Sequence, residues 1–439
     1  MKKVLVIEGG VRLQGRVRVN GAKNAALPIL CATLLTDGPS RILNVPELRD
    51  VTYMCEILRG LGMTCERKED GAFEIETIDT SQFSVPHELA LKMRASICAL
   101  GPLLARRKKA CVPYPGGCYF GVRPINLHLK GLQALGADIT IRDGYVEVTA
   151  DQLRGAHIYL GGPFGSTVLG TANVLMAAVL ARGTTIIEHA ACEPEIIDLA
   201  SYLNGMGAKI HGAGSPRMII EGVDELRARE HSIIADRIEA GTLMIAGAMT
   251  GGDVTVEEAN SDHLFAVIDT LQAMGVGVDA SDDGIRVRGN RAADSVDITT
   301  LSYPGFPTDL QAQMMAYLAL GNGFSVVTER VYPDRFSHIA ELERMGANIR
   351  REGPTAIITG VPQLSGAPVK ASDLRASASL ILAGLVAEGK TEVRDIDLLD
   401  RGYERLEERL AQLGARIRRV DINETGGTFE STNRIPAYN

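Results

Sequence analysis

One dipeptide, Leu-Gly or Met-Gly at the end of an apolar helical stretch, recurs six times in this 439-residue chain and constrains its fold more than any other feature. Leu-Gly stands at 61–62, 135–136 and 413–414, and Met-Gly at 206–207, 274–275 and 345–346. The glycines at 62, 136, 207, 275, 346 and 414 are spaced by 74, 71, 68, 71 and 68 residues. A near-constant period of this kind means one supersecondary unit copied six times. Each unit opens with a short alternating strand, at 4–7, 73–75, 146–148, 218–220, 285–287 and 356–358. A polar connection and a second strand then lead into a helix, as at 27–36, 168–182 or 377–388, and on to another strand, as at 184–188 or 391–395. A second, amphipathic helix runs into the Leu/Met-Gly, where glycine suits the left-handed residue just past a helix end.

The last unit is short of a strand. The strand at 415–420 is followed only by a polar stretch rich in Gly, Thr and Asn, whereas residues 4–7 occupy the place of each earlier unit's partner strand. The N-terminal strands are therefore expected to pair with the last repeat and make one domain of both chain ends. Length alone points to two or three domains.

With 45% apolar and 23% charged residues the chain has a core to bury, but its net charge of −8 lacks the basic field that nucleic acid or an anionic membrane requires. Any anion it binds must be held by a local cluster of cations. Seven cysteines (31, 55, 65, 98, 111, 118 and 192) include no Cys-x-x-Cys pair and mostly have apolar neighbours, which fits neither a disulfide framework nor a zinc site. The N-terminus turns acidic and glycine-rich too soon for a signal peptide, and no apolar run is long enough to span a membrane. A reducing, cytoplasmic setting is the expectation.

Aligning the repeats aligns their polar residues. Before the first helix of the successive units stand Gly-Ala-Lys-Asn (21–24), Lys-Met-Arg-Ala-Ser (92–96), Gly-Ser-Thr-Val (165–168), Ala-Asp-Arg-Ile-Glu (235–239), Phe-Pro-Thr-Asp (306–309) and Asp-Leu-Arg-Ala-Ser (373–377). Cations at helix starts oppose the macrodipole, so Lys23, Arg94, Arg237 and Arg375 call for an anionic partner. Asp236 for Arg237 and Asp373 for Arg375 are the nearby candidates, whereas Lys23 has no acidic neighbour in sequence and is read as a ligand-binding cation. The run 114–124, Tyr-Pro-Gly-Gly-Cys-Tyr-Phe-Gly-Val-Arg-Pro, sets Cys118 between glycines with Arg123 close behind. Such a loop displays a thiol beside a cation able to lower its pKa.

These motifs together resemble the enolpyruvyl transferases, specifically those that act on UDP-N-acetylglucosamine. The resemblance runs from about residue 4 to 420 and is carried by Asn-Gly-Ala-Lys-Asn-Ala-Ala-Leu-Pro (20–28), the cysteine loop, Phe-Pro-Thr-Asp-Leu-Gln-Ala-Gln (306–313), Asp-Leu-Arg-Ala-Ser-Ala-Ser (373–379) and Asp-Arg-Gly-Tyr-Glu-Arg (400–405). It implies an α/β protein of two inside-out α/β barrels, built from six βαβαββ-type repeats with three per domain. The expected division is 1–22 plus 233–425, 23–232, and a polar tail at 426–439. The implied reaction moves the enolpyruvyl group of phosphoenolpyruvate to the 3′-hydroxyl of the sugar nucleotide, with release of phosphate and with neither metal nor organic cofactor.

By motif, Lys23, Arg123 and Arg401 match the cationic cage for phosphoenolpyruvate, supported by Arg94 and Arg375. Cys118 matches the loop acid that protonates the enol methylene, and Asp309 the carboxylate placed on the sugar hydroxyl. Asn24, the run Arg123, Pro124, Ile125, Asn126 and Leu127, the turn Gly165, Ser166, Thr167 and Val168, and Val331 match the sugar-nucleotide contacts. Three positions depart from the pattern of the best-known members: Asn126 replaces an aspartate, Thr167-Val168-Leu169-Gly170-Thr171 replaces Ser-Val-Gly-Ala-Thr with Gly165 where a lysine can occur, and Tyr332 replaces a phenylalanine. They bear on nucleotide preference and leave the catalytic assignments intact. The 5-enolpyruvylshikimate-3-phosphate synthases share the fold and phosphoenolpyruvate but lack the Pro-Gly-Gly-Cys loop.

Overall fold

The computed structural model describes residues 3–114 and 124–421. Each Leu/Met-Gly ends a helix as expected, with Gly62, Gly136, Gly207, Gly275, Gly346 and Gly414 at φ between 79° and 110°. Glycine adopts that conformation without the steric cost of a Cβ, so the chain can turn at once from the helix into the next strand. Among the described residues the strands form five four-stranded sheets and one three-stranded sheet, one for each repeat.

The N-terminal strand Lys3–Glu8 lies between Lys390–Arg394 and Arg416–Asp421, antiparallel to both, so the first strand completes the last repeat as expected. The second strand departs from the expectation. Gln14–Arg18 pairs in parallel with Asp253–Glu257 of the fourth unit, and the fourth unit's Glu230–Ser232 pairs in parallel with Ser40–Leu43 of the first. Units one and four thus exchange strands, and the chain crosses between the two halves at two adjacent places. The crossings are tied together by a bridge between Gly21 and Ala235, with Ala22 N–H donating to Ile234 O at 2.7 Å and Asp236 N–H to Asn20 O at 2.8 Å. A Cβ on Gly21 would stand 1.7 Å from the Asn44 carbonyl oxygen, so the crossing leaves no room for a side chain there.

The first helix of each unit is the inner one. Every residue of Ile238–Met249, Gln311–Leu318 and Arg375–Val386 is buried, the all-round burial of a helix enclosed by other elements. Strands around them alternate buried and accessible residues, as in Asp253–Glu257 and Thr355–Thr359. The arrangement is helices within and sheets without. One apolar core gathers buried side chains from Ala22 to Ile233; the other gathers Leu5–Val19 with residues from Ile238 to Ala415. The inner helices also begin earlier than the periodicity predicts, at Lys23, Arg237 and Leu374, because Asp236 and Asp373 cap the latter two by accepting backbone N–H groups. Lys23, Arg237 and Arg375 consequently stand inside a first helical turn, facing the junction of the two halves.

Candidate active site

The sequence places cations at helix starts and leaves their partners open; the structure supplies them from distant parts of the chain. Asp236 and Asp373 do not form the expected side-chain pairs with their neighbouring arginines. Each is occupied as a helix cap, Asp236 by Ile238 and Glu239 N–H and Asp373 by Arg375 and Ala376 N–H. Arg237 reaches instead to Glu195 in the other half (3.0 Å), and Arg375 to Asp309 (3.0 Å). Lys23, read as lacking an acidic partner, meets the buried Asp50 at 3.3 Å. Asp50 opens the helix Arg49–Gly60, and its other oxygen receives Arg401 Nε at 2.9 Å.

Two cation–carboxylate–cation triads result. In one, Asp50 bridges Lys23 from its own half and Arg401 from the other, with side chains 4%, 9% and 16% exposed. In the second, Asp309 is gripped by Arg335 at 2.7 Å and Arg375 at 3.0 Å. One carboxylate joins two cations in each case, and Asp373 acts on Arg335 and Asp236 on Arg375 from further off. Burial pushes the Asp309 carboxyl up, but Arg375 and Arg335, with Lys23 adding to them, hold it well below the usual carboxylate range. It therefore remains ionised and able to accept a proton. Asp309 lies in the single turn Thr308–Leu310 before the inner helix Gln311–Leu318, so its backbone rests on a rigid element while its side chain is 23% exposed.

The remaining expected residues divide into groups. Arg94 begins a 3₁₀ segment, Arg94–Ala99, rather than an α-helix, and its guanidinium donates to Pro124 O at 3.3 Å. It thus fixes the start of the run whose Ile125 is buried and whose Asn126 opens the helix Asn126–Ala134. Leu127 lies against Gly162, where an added Cβ would come within 3.1 Å of its Cδ1, and Gly162 closes a tight turn with Gly165 through two backbone hydrogen bonds. Gly165 has φ 96°, and a Cβ there would lie 2.7 Å from Ser302 Oγ in the other half. Ser166 follows in that turn, and Thr167 caps the helix Val168–Ala178 by accepting from Gly170 N–H. Asn24 sits half-buried beside Lys23, and Val331 is held through its N–H to Glu329. Cys118 and Arg123 lie outside the described residues.

Asp50, Arg335 and Glu195 were not singled out by sequence. Nothing in Leu-Arg-Asp-Val (48–51) separates Asp50 from any acid in a first helical turn. Arg335, four residues past Val331, was within reach of a reading that extended that motif.

The sequence profile of the EPSP synthase (3-phosphoshikimate 1-carboxyvinyltransferase) family matches residues 7–410. UDP-N-acetylglucosamine 1-carboxyvinyltransferase 1 of Caldanaerobacter subterraneus subsp. tengcongensis is 52% identical over 95% of this chain and 100% of its own. UDP-N-acetylglucosamine 1-carboxyvinyltransferase 2 of Carboxydothermus hydrogenoformans is 54% identical over 94% and 99%. Among solved structures, the enolpyruvyl transferase NikO from Streptomyces tendae superposes with a TM-score of 0.85 at 27% identity, covering 95% of this chain and 99% of that one. The likeness runs along most of the chain, and the chain belongs to the EPSP synthase family, as a two-domain inside-out α/β barrel.

Proposed function

We propose that this chain transfers the enolpyruvyl group of phosphoenolpyruvate to the 3′-hydroxyl of UDP-N-acetylglucosamine, releasing phosphate, as the first committed step of peptidoglycan synthesis. The carrying observation is the gathering of four cations, Lys23, Arg401, Arg335 and Arg375, about two carboxylates at the junction of the two halves, in an otherwise acidic protein. A substrate bearing both a carboxylate and a phosphate suits that cluster of cations, and guanidinium forks suit both groups. The relatives above 50% identity, named for this reaction, support the same reading.

In this reading Lys23 and Arg401, joined by Arg123, hold phosphoenolpyruvate, with Arg94 and Arg375 in support. Asp309 takes the proton of the 3′-hydroxyl as its oxygen adds to C2, while the Cys118 thiol delivers a proton to C3. Loss of a proton from C3 then restores the double bond as phosphate departs from C2, so the protons gained and lost balance. Asn24, Pro124, Ile125, Asn126, Leu127, Gly165, Ser166, Thr167, Val168 and Val331 would receive the nucleotide sugar. The two lobes, 1–22 with 233–425 and 23–232, would close on it before phosphoenolpyruvate binds, because the cations come from both. This role places the enzyme in the cytoplasm, in cell-wall biogenesis and so in cell shape and division. Fosfomycin, an epoxide phosphonate, would then alkylate Cys118.

Coupled phosphate release from phosphoenolpyruvate, measured with and without UDP-N-acetylglucosamine, tests the reading. Release that requires the sugar nucleotide is expected. Release with shikimate 3-phosphate alone, or none with either acceptor, would overturn it.

A further inference from the structure

Glu329 ends the strand Phe324–Glu329 and has no accessible surface, yet no cation pairs with it among the described residues. Its charge is met by four hydrogen bonds instead. Oε1 accepts from Thr300 Oγ1 at 2.6 Å and from the backbone N–H of Val331 and of Tyr332, both at 2.8 Å; Oε2 accepts from Thr308 Oγ1 at 2.9 Å. Both hydroxyls donate to it, because an ionised carboxylate can only accept, and each hydroxyl in turn accepts from another donor. Thr300 accepts from Arg330 N–H at 3.1 Å and Thr308 from Arg335 Nη1 at 3.1 Å. The same Arg335 nitrogen holds Asp309 Oδ1 at 2.7 Å.

We infer that Glu329 is a positioning residue for Asp309 and for the Val331–Tyr332 backbone together. One side chain fixes the loop after its strand through two N–H groups, and through Thr308 it fixes the oxygen against which Arg335 is aimed. Displacement of a reacting group by a fraction of an ångström is costly in rate, and the route from Glu329 to Asp309 has only two intermediate groups. The inference rests on the reading of Asp309 as the proton acceptor given under Proposed function.

In Glu329→Gln the side-chain volume is kept and Oε1 can still serve the two backbone N–H groups, but the amide nitrogen facing Thr308 is a donor. The Thr308 hydroxyl loses its acceptor, and the Arg335–Asp309 contact loosens. Steady-state kinetics across pH are the test, with wild type, Glu329→Gln, Thr308→Val and the double variant run in parallel. Wild-type phosphate release that requires UDP-N-acetylglucosamine establishes the reaction itself; its failure would count against the functional reading and not against the Glu329 linkage.

Given that activity, kcat of Glu329→Gln is expected to fall about tenfold or more while KM for phosphoenolpyruvate moves less than about twofold. The acidic limb of the kcat profile should move to higher pH, because Asp309 has lost part of the arginine contact that keeps its pKa low. Thr308→Val cuts the same link from the other side and should reproduce both changes. The double variant should lose about as much activity as the more impaired single and no more, since both cut one path. An unmoved acidic limb, a kcat within about twofold of wild type, or losses that multiply in the double variant would each overturn the inference. Should Glu329→Gln not fold, the pH limb and kcat of Thr308→Val decide alone.

Discussion

Replacing Asp50 by asparagine separates the structural and the substrate-binding roles of the triad it centres. Asp50 is 3% exposed and holds Lys23 Nζ at 3.3 Å and Arg401 Nε at 2.9 Å, so its amide variant leaves two buried cations facing a neutral group of the same shape. Removing one partner of a buried ion pair costs about 3 to 5 kcal/mol, and because the amide oxygen can still accept one hydrogen bond the lower end, about 3 kcal/mol, applies here. For lobes of this size 1 kcal/mol corresponds to roughly 2–4 °C, which gives a fall in Tm of roughly 6–12 °C. The helix Arg49–Gly60 also touches the other half through Arg49–Asp397 at 2.7 Å, an exposed pair that the variant leaves intact, so the loss belongs to the triad. Inorganic phosphate supplies the missing negative charge, and a ligand that binds only the folded state stabilises it in proportion to the logarithm of its concentration. Scanning calorimetry with and without phosphate should therefore show a low Tm for Asp50→Asn that phosphate raises by more than it raises the wild type. A variant as stable as wild type, or one that phosphate stabilises no more than it stabilises the wild type, would refute the reasoning that Asp50 balances the charge of Lys23 and Arg401.

Four further outcomes follow from the same structure. Cys118→Ser should sharply reduce turnover with nucleotide-sugar affinity nearly intact, whereas Cys118→Asp, which can donate the same proton, should remain active in the phosphate-release assay. Fosfomycin should add once, at Cys118, with peptide mass spectrometry as the check; Cys31, Cys55, Cys65 and Cys98 are buried and Cys111 and Cys192 only partly accessible, so an adduct spread over these would refute it. Small-angle scattering should show compaction when UDP-N-acetylglucosamine alone is added, and an unchanged radius of gyration would count against closure. Burial pushes Glu239 up from 4.5 to about 8 despite Arg409 at 3.1 Å; the folded state then keeps a proton that the unfolded chain has lost, so in urea unfolding the stability of wild type relative to Glu239→Gln should fall as pH rises from 4.5 through 8, by at most about 5 kcal/mol, and a difference that does not change with pH would refute it.

How much of this was readable in sequence depends on the range of the interaction. The six glycines were legible because a helix end is a local event: one residue must turn left-handed, and the cost of a Cβ there marks the place. The closing of the last sheet by Lys3–Glu8 was legible for a similar reason, since a strand without a partner must find one. The exchange of Gln14–Arg18 and Glu230–Ser232 was not. Either strand could satisfy the same parallel edge in its own half or in the other, and the choice is made by the crossing at Gly21 and Ala235, a contact between positions more than two hundred residues apart.

The site follows the same division. Lys23, Arg375, Asp309 and Arg401 stood out as residues at particular places in a repeat or motif, but their partners did not, because an ion pair between folded elements leaves no trace in the spacing of either. The expected neighbours Asp236 and Asp373 illustrate why the nearest acid is a poor guess. At a helix start an aspartate that accepts two otherwise unpaired backbone N–H groups is held there by the cap, and its oxygen is no longer free to follow a side chain one or two residues on. Once those acids are committed to capping, the cations behind them must be met by acids distant in sequence: Glu195 across the junction for Arg237, Asp309 in the same half for Arg375 and, where no capping acid precedes, Asp50 for Lys23, which Asp50 ties to Arg401 of the other half. Two of these three ion pairs, Arg237 with Glu195 and Arg375 with Asp309, stand at ends of inner helices that the caps have already fixed. The charge of the site and the attachment of the two halves to each other are therefore one set of contacts, and an anion entering between Lys23 and Arg401 must act on both.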